Sequence, residues 1–219
     1  MSIKLHVFPP SPRSFKVLAV AHHLGLECQL ALCDLTKAEQ KSAPYTAVNP
    51  NQRVPALEDG DLKLWESNAI IQYLATKQPE SGLLPADEPS RADVARWQFW
   101  ESTTWDPACA ILVYERAVKQ FFGGGAPDPA EVEKGLQRFH RAAKVLDAHL
   151  HGRTYVCGNR LTLADFAIGA DLTMAEPAQL PLEGYGEIRR WGALLADLPA
   201  WQRTRAMQRP PRERSATAP

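Results

Sequence analysis

The chain has 219 residues, enough to bury a substantial core in one compact unit or two modest subdomains. Its 25 lysines and arginines balance 25 aspartates and glutamates, which removes the general attraction that nucleic acid or an anionic membrane surface requires. No run of about 18 apolar residues is present, and the start MSIKLHVF lacks the order of a signal peptide, so a cytoplasmic protein is expected. In chain order, IKLHVF alternates as a short strand. SFKVLAVAHHLGL then has apolar residues at helical spacing and ends at Gly25. ECQLALCDL suits a second strand, KAEQKSAPYTAVNPNQ is polar and broken by prolines, and VPALEDGDLKLWES reads as a hairpin turning at Asp59-Gly60. SNAIIQYLATK closes this half as an amphipathic helix, giving the order β-α-β-(irregular α)-β-β-α.

QPESGLLPADEPSRA has the Pro, Ser and acidic content of an exposed linker. Beyond it, RADVARWQFWESTTWDPACAILVYERAVKQFF, DPAEVEKGLQRFHRAAKVLDAHL, TLADFAIGADLTMAEPAQ and EIRRWGALLADLPAWQRTRAM all carry a helical period, and no strand is needed. The expected organisation is an α/β domain at 1–79, a linker at 80–89, an all-α domain at 90–208 and a loosely ordered tail at 209–219.

Several positions point to chemistry. Ser11-Pro12 is a good helix start, since proline lacks the amide hydrogen that would go unpaired there. Pro55 opens a strand run, and a cis bond at Val54-Pro55 would turn the Val54 main chain toward a ligand. Glu66 and Ser67 stand at a helix N-terminus, a natural seat for a carboxylate. Each also has a purely structural reading as a cap or strand start. Trp97, Trp100 and Trp105 read as packing, and the adjacent His22 and His23 cannot chelate together and read as solvated or capping. The four cysteines, Cys28, Cys33, Cys109 and Cys157, form no CxxC pair or zinc pattern, so reduced structural thiols and no metal site are expected.

Order and spacing together resemble the cytosolic glutathione transferase family over about residues 3–205. The chain resembles the family's bacterial, serine-type members, which are phi-, theta- or zeta-like. SPRSFKVLAVAHHLGL resembles the family's serine-type first helix. AEQKSAPYTAVNPNQRVPALEDGDLKLWESNAIIQYL resembles its long central pattern ending in Glu-Ser. TLADFAIG resembles its helix-capping motif, with Thr162 as cap and Asp165 at the third helical position. Gln52 stands where the family often has glycine.

The resemblance implies a thioredoxin-like domain followed by an all-helical one, a homodimer, and a detoxifying transferase with glutathione as co-substrate and no tightly bound cofactor. It implies that Ser11 donates its hydroxyl to the glutathione sulfur, with Ser14 as a rival. Val54 would bind the cysteinyl backbone, Glu66 and Ser67 the γ-glutamyl end, and Lys41 with Arg53 the glycine carboxylate, with Pro55 as a structural cis-proline. Phe8, Pro10, Tyr114 and Phe121 are the candidates for a hydrophobic electrophile pocket. A free thiol of pKa ~8.5 is mostly protonated at neutral pH, and lowering it by about 2 units corresponds to roughly 2.7 kcal/mol of thiolate stabilisation. The same scaffold would also suit peroxidase, dehalogenase or isomerase chemistry, or glutathione binding without catalysis.

Overall fold

The structure, a computed structural model, describes residues 2–208; the tail 209–219 lies outside the described residues. The first elements are β1 (Lys4–Val7), α1 (Pro12–His23), β2 (Gln29–Leu32), two 3₁₀ turns (Leu35–Lys37 and Glu39–Lys41) and α2 (Ala43–Thr46). β3 (Ala56–Asp59), β4 (Leu62–Trp65) and α3 (Ser67–Ala75) follow. The strands form one mixed sheet in the order β2-β1-β3-β4, with β1 parallel to β2 and antiparallel to β3, and β3 antiparallel to β4.

Alternation along the strands sorts the side chains into two layers. Leu5 pairs with Leu57 and both are fully buried, as are Phe15, Val17 and Leu18 of α1 and Ile70, Ile71 and Leu74 of α3. His6 pairs with Ala56 and so faces the other way, where the Tyr45 ring meets the imidazole edge-on at 5.6 Å. On that side Cys33, Tyr45, Val48, Val54 and Ala56 form a small core, with Phe8 and Leu35 against it.

Helix α1 stops where Gly25 takes φ +65°, a conformation that costs glycine nothing. Its N–H reaches the His22 carbonyl at 3.2 Å and the Leu26 N–H the Ala21 carbonyl at 3.0 Å, closing the last turn. The hairpin turns through Gly60 and Asp61, one residue beyond the Asp59-Gly60 position expected from composition, because Asp59 still pairs with Leu62.

The helical region holds α4 (Glu88–Trp100), α5 (Asp106–Val113), the single turn α6 (Lys119–Phe121), α7 (Pro129–Leu150), α8 (Leu163–Gly169), α9 (Gly186–Ala196) and α10 (Pro199–Gln208). Asp87 and Asp128 start α4 and α7 by accepting the Ser90 and Ala130 amides at 2.9 and 2.8 Å. Between α4 and α5 lies a π turn at Glu101–Trp105, and another at Tyr114–Val118 leads into α6. α7 approaches α5 closely at Gly135, where a Cβ would sit 2.9 Å from the side chains of Ile111 and Leu112. Trp105 is fully buried and Trp97 is buried, so both rings are core, while Trp100, which meets each of them, is half-buried.

Helical period alone groups α10 with 90–208. Its packing puts it on α1 instead: Trp201 meets Phe15 with ring centres 4.8 Å apart, and the Thr204 hydroxyl lies 2.7 Å from His22 Nδ1. His22 is therefore an interhelical contact rather than a solvated residue, and burial, followed by the charge of Arg203, lowers its pKa. The described residues divide into two compact units, one of 2–81 with 196–208, the other Gly82–Leu195.

Candidate active site

Ser11 precedes α1 with φ −74° and ψ 128°, and Pro12 takes the first helical position. The turn is fixed by its main chain: the Ser11 N–H donates to the Phe8 carbonyl and the Phe15 N–H to the Ser11 carbonyl, both at 2.8 Å. The Ser11 side chain makes no capping bond, so the hydroxyl is not used to hold the helix. Ser14 is fully buried, and its oxygen accepts the Phe8 N–H at 3.1 Å.

The loop before β3 supplies the facing wall. The Val54-Pro55 bond is cis. The Arg53 carbonyl, just before it, accepts from the Tyr45 hydroxyl and from Asn49 Nδ2, each at 2.7 Å. Asn49 Oδ1 in turn accepts the Asn51 amide at 3.0 Å, so one buried side chain braces both ends of the 49–53 turn. Gln52 has φ +54°, a left-handed conformation that glycine adopts more readily than a residue with a Cβ.

The third wall is the start of α3. Glu66 precedes it with φ +71°, an uncommon conformation for a side-chain-bearing residue and one that concentrates at functional positions. Ser67 is buried, and its oxygen accepts from Lys16 Nζ at 3.2 Å; the same ammonium donates to Asn68 Oδ1 at 3.0 Å.

These walls enclose one cavity of about 340 Å³, lined by Ser11, Arg53, Val54, Pro55, Glu66 and Ser67 together with Arg13, Leu35, Gln40, Asn49, Asn51 and Gln52. Lys41 is exposed at the end of its 3₁₀ turn and does not line the cavity, whereas Gln40 beside it does. Phe8 packs on the Cys33–Tyr45 core, and neither it nor Pro10 lines the cavity. Tyr114 and Phe121 are exposed on the second unit. Asn49 and Tyr45 escaped the sequence reading because they act through the backbone of Arg53; the NPN run held the only sign of the turn they brace.

The cavity offers one cationic and one anionic side chain at Arg53 and Glu66, a second cation at Arg13, and the amide ends of two helices. Cys33, at the end of β2, is pushed up to about 11 by burial, then by Glu39 and Asp34, so its thiol stays protonated at neutral pH. Among the described residues, carboxylates close enough to suggest a metal site occur at Glu101, Asp106 and Asp171, within 4.8 Å of one another and buried in the second unit. None of the three lines this cavity.

The sequence pattern of the glutathione S-transferase N-terminal domain matches residues 1–76, and that of the C-terminal domain matches residues 129–203. The chain belongs to the glutathione S-transferase family. Glutathione S-transferase 3 of Zea mays is 36% identical over 207 residues, covering 92% of each protein. Among solved structures, glutathione S-transferase III in its apo form superposes with a TM-score of 0.85 at 32% identity, over 96% of this chain and 99% of that one. Glutathione S-transferase-I bound with lactoylglutathione gives 0.85 at 26% identity, over 94% and 100%. This family membership agrees with the mixed four-stranded sheet and the helical region that follows it.

Proposed function

We propose that this chain is a glutathione transferase in which Ser11 stabilises the thiolate of bound glutathione for attack on a small hydrophobic electrophile. The observation that carries the reading is that Ser11, Val54, Glu66 and Ser67 line one and the same cavity. Glutathione has a thiol in its middle, an amino-acid group at one end and a carboxylate at the other. The Val54 N–H and C=O pair with its cysteinyl backbone. Glu66 accepts from the γ-glutamyl ammonium, while Ser67 and the first amides of α3 take the neighbouring carboxylate. Arg53 and Lys41 serve the glycine carboxylate, Arg53 from the cavity wall and Lys41 from the 3₁₀ turn beside Gln40.

Ser11 cannot act as a base at neutral pH, but its O–H donates to S⁻, and the positive end of α1 adds to that field. The thiolate sulfur then forms a bond to the electrophilic carbon, and the displaced group leaves with the bonding pair. That a related enzyme, glutathione S-transferase-I, is described with lactoylglutathione bound supports a tripeptide thiol as the ligand. Phe8 and Pro10, on the loop after β1 in the unit that holds the cavity, remain the proposed apolar contacts for the electrophile. The chemistry needs no tightly bound cofactor.

The same reading makes the protein a cytoplasmic homodimer with a detoxifying role. No helix among the described residues is long and apolar enough to cross a membrane. The test is an ultraviolet titration of the thiolate absorbance of glutathione bound to the purified protein. A bound thiol pKa about 2 units below the free value of ~8.5 is expected. Glutathione that binds with its pKa unmoved would reduce the protein to a binder.

A further inference from the structure

Lysine is rarely fully buried, yet Lys16 is 2% exposed, between Phe15 and Val17 in the apolar face of α1. Its ammonium reaches across to the start of α3, donating to Ser67 Oγ at 3.2 Å and Asn68 Oδ1 at 3.0 Å. We infer that Lys16 is a positioning residue for the amino-acid end of glutathione, setting the Ser67 hydroxyl as a donor and placing a positive charge behind the site of the ligand's α-carboxylate. The inference rests on the glutathione reading given above and extends it to a residue outside the cavity wall.

Two arguments carry it. An ammonium has three donors and no acceptor, so at this contact Ser67 Oγ can only accept. Its single proton is then left to point elsewhere, and Ser67 lines the cavity. The second argument is electrostatic. The N-terminus of α3 already carries partial positive charge, so a cation placed against its first two residues is unfavourable in the empty protein. That placement becomes favourable when a carboxylate arrives, because its charge then meets the helix end, the Ser67 O–H and the lysine behind it. Glu66, immediately before, carries the opposite charge and suits the adjacent ammonium of the same amino-acid group. A tie between α1 and α3 alone would need no charge.

The test compares Lys16→Met and Lys16→Arg with the unaltered protein on three thiols: glutathione, 4-aminobutyryl-Cys-Gly, which lacks the α-carboxylate, and glutaryl-Cys-Gly, which lacks the amine. Lys16→Met should raise KM for glutathione and for glutaryl-Cys-Gly about tenfold to a hundredfold, as for one charge-assisted hydrogen bond, with kcat within about twofold. Its KM for 4-aminobutyryl-Cys-Gly should not move, and Lys16→Arg should restore most of the loss. The melting temperature of Lys16→Met should hold or rise, since a buried charge gives way to an apolar chain of similar length. Equal losses on all three thiols, or none on any, would show a mere tie between helices and overturn the inference. Should Lys16→Met fail to fold, Ser67→Ala carries the test: its loss must be confined to the two thiols bearing the carboxylate, and a loss shared by all three overturns the proposal. An unaltered protein that binds no glutathione defeats the functional reading instead, whatever the lysine does.

Discussion

Ser11 and Ser14 lie three residues apart at the start of one helix, yet their hydroxyls meet different surroundings. Ser14 is fully buried with its oxygen taken by the Phe8 amide, while Ser11 lines the cavity and leaves the capping to its main chain. A helical period places residues on faces, but it does not say which of two serines lies beneath the preceding loop, so the sequence left both open. With the geometry in hand the two make opposite predictions. Ser11→Ala should lower turnover about tenfold to a thousandfold, the usual cost of one donor to a developing anion, while KM for glutathione stays within a few fold. Ser14→Ala removes the oxygen that accepts the Phe8 N–H and should cost about 1 kcal/mol of stability with turnover little changed. Steady-state kinetics and thermal melts on both variants decide it, and a dead Ser14→Ala enzyme of unaltered melting temperature would reverse the roles. Gln52 shows the same limit of the pattern. The family resemblance suggests glycine at this position, but only the backbone shows the φ of +54° that glycine would take without strain.

Elements defined by local alternation were legible, because period and turn chemistry act over a few residues. The four strands and the helix ended by Gly25 fall within the sequence segments that suggested them, and the hairpin turn lies one residue beyond the expected Asp59-Gly60. Two features were not. The long apolar pattern from Arg91 to Phe122 reads as unbroken helix, yet at Asp106 the N–H bonds the Glu101 carbonyl five residues back. Pro107 has no N–H to continue the ladder, and the π turn lies directly before it. The partner of α10 was also hidden, since amphipathicity says that a face is buried but not against what. The TLADFAIG motif shows how far a local signal can reach into packing. Asp165 closes the capping box on the Thr162 amide at 2.9 Å, as the motif suggests. It also accepts the Val156 amide at 2.9 Å and the Trp191 indole at 3.0 Å, tying α8 to a loop and to α9. Burial holds its carboxyl above the usual range while those donors pull the other way. Asp165→Ala should therefore lose about 3 kcal/mol or more, well beyond a single surface cap, because several buried donors go unpaired at once. Urea unfolding measures this, and a loss under about 1 kcal/mol would mean that water or neighbouring groups take over those donors.

The whole molecule carries no net charge and has a sequence pI near 7.0, whereas glutathione is anionic at neutral pH. Attraction must then come from charges within the cavity rather than from a field around the protein. Arg13 and Arg53 line it beside a single acidic side chain, Glu66, and two helix ends, and this local imbalance is invisible to a charge count over the sequence. Its range distinguishes the two sources. Screening shortens from about 30 Å at 0.01 M salt to about 10 Å at 0.1 M, which removes a long-range field but only weakens contacts of a few ångströms. KM for glutathione should therefore rise by no more than about threefold over that interval, with kcat unchanged. Arg53→Gln should raise KM about tenfold and flatten the remaining salt dependence, because the group being screened is gone. A tenfold or steeper salt effect in the unaltered protein would point to a steering field that this neutral chain does not otherwise offer. Unaltered salt dependence in Arg53→Gln would move the glycine carboxylate to Arg13 or Lys41.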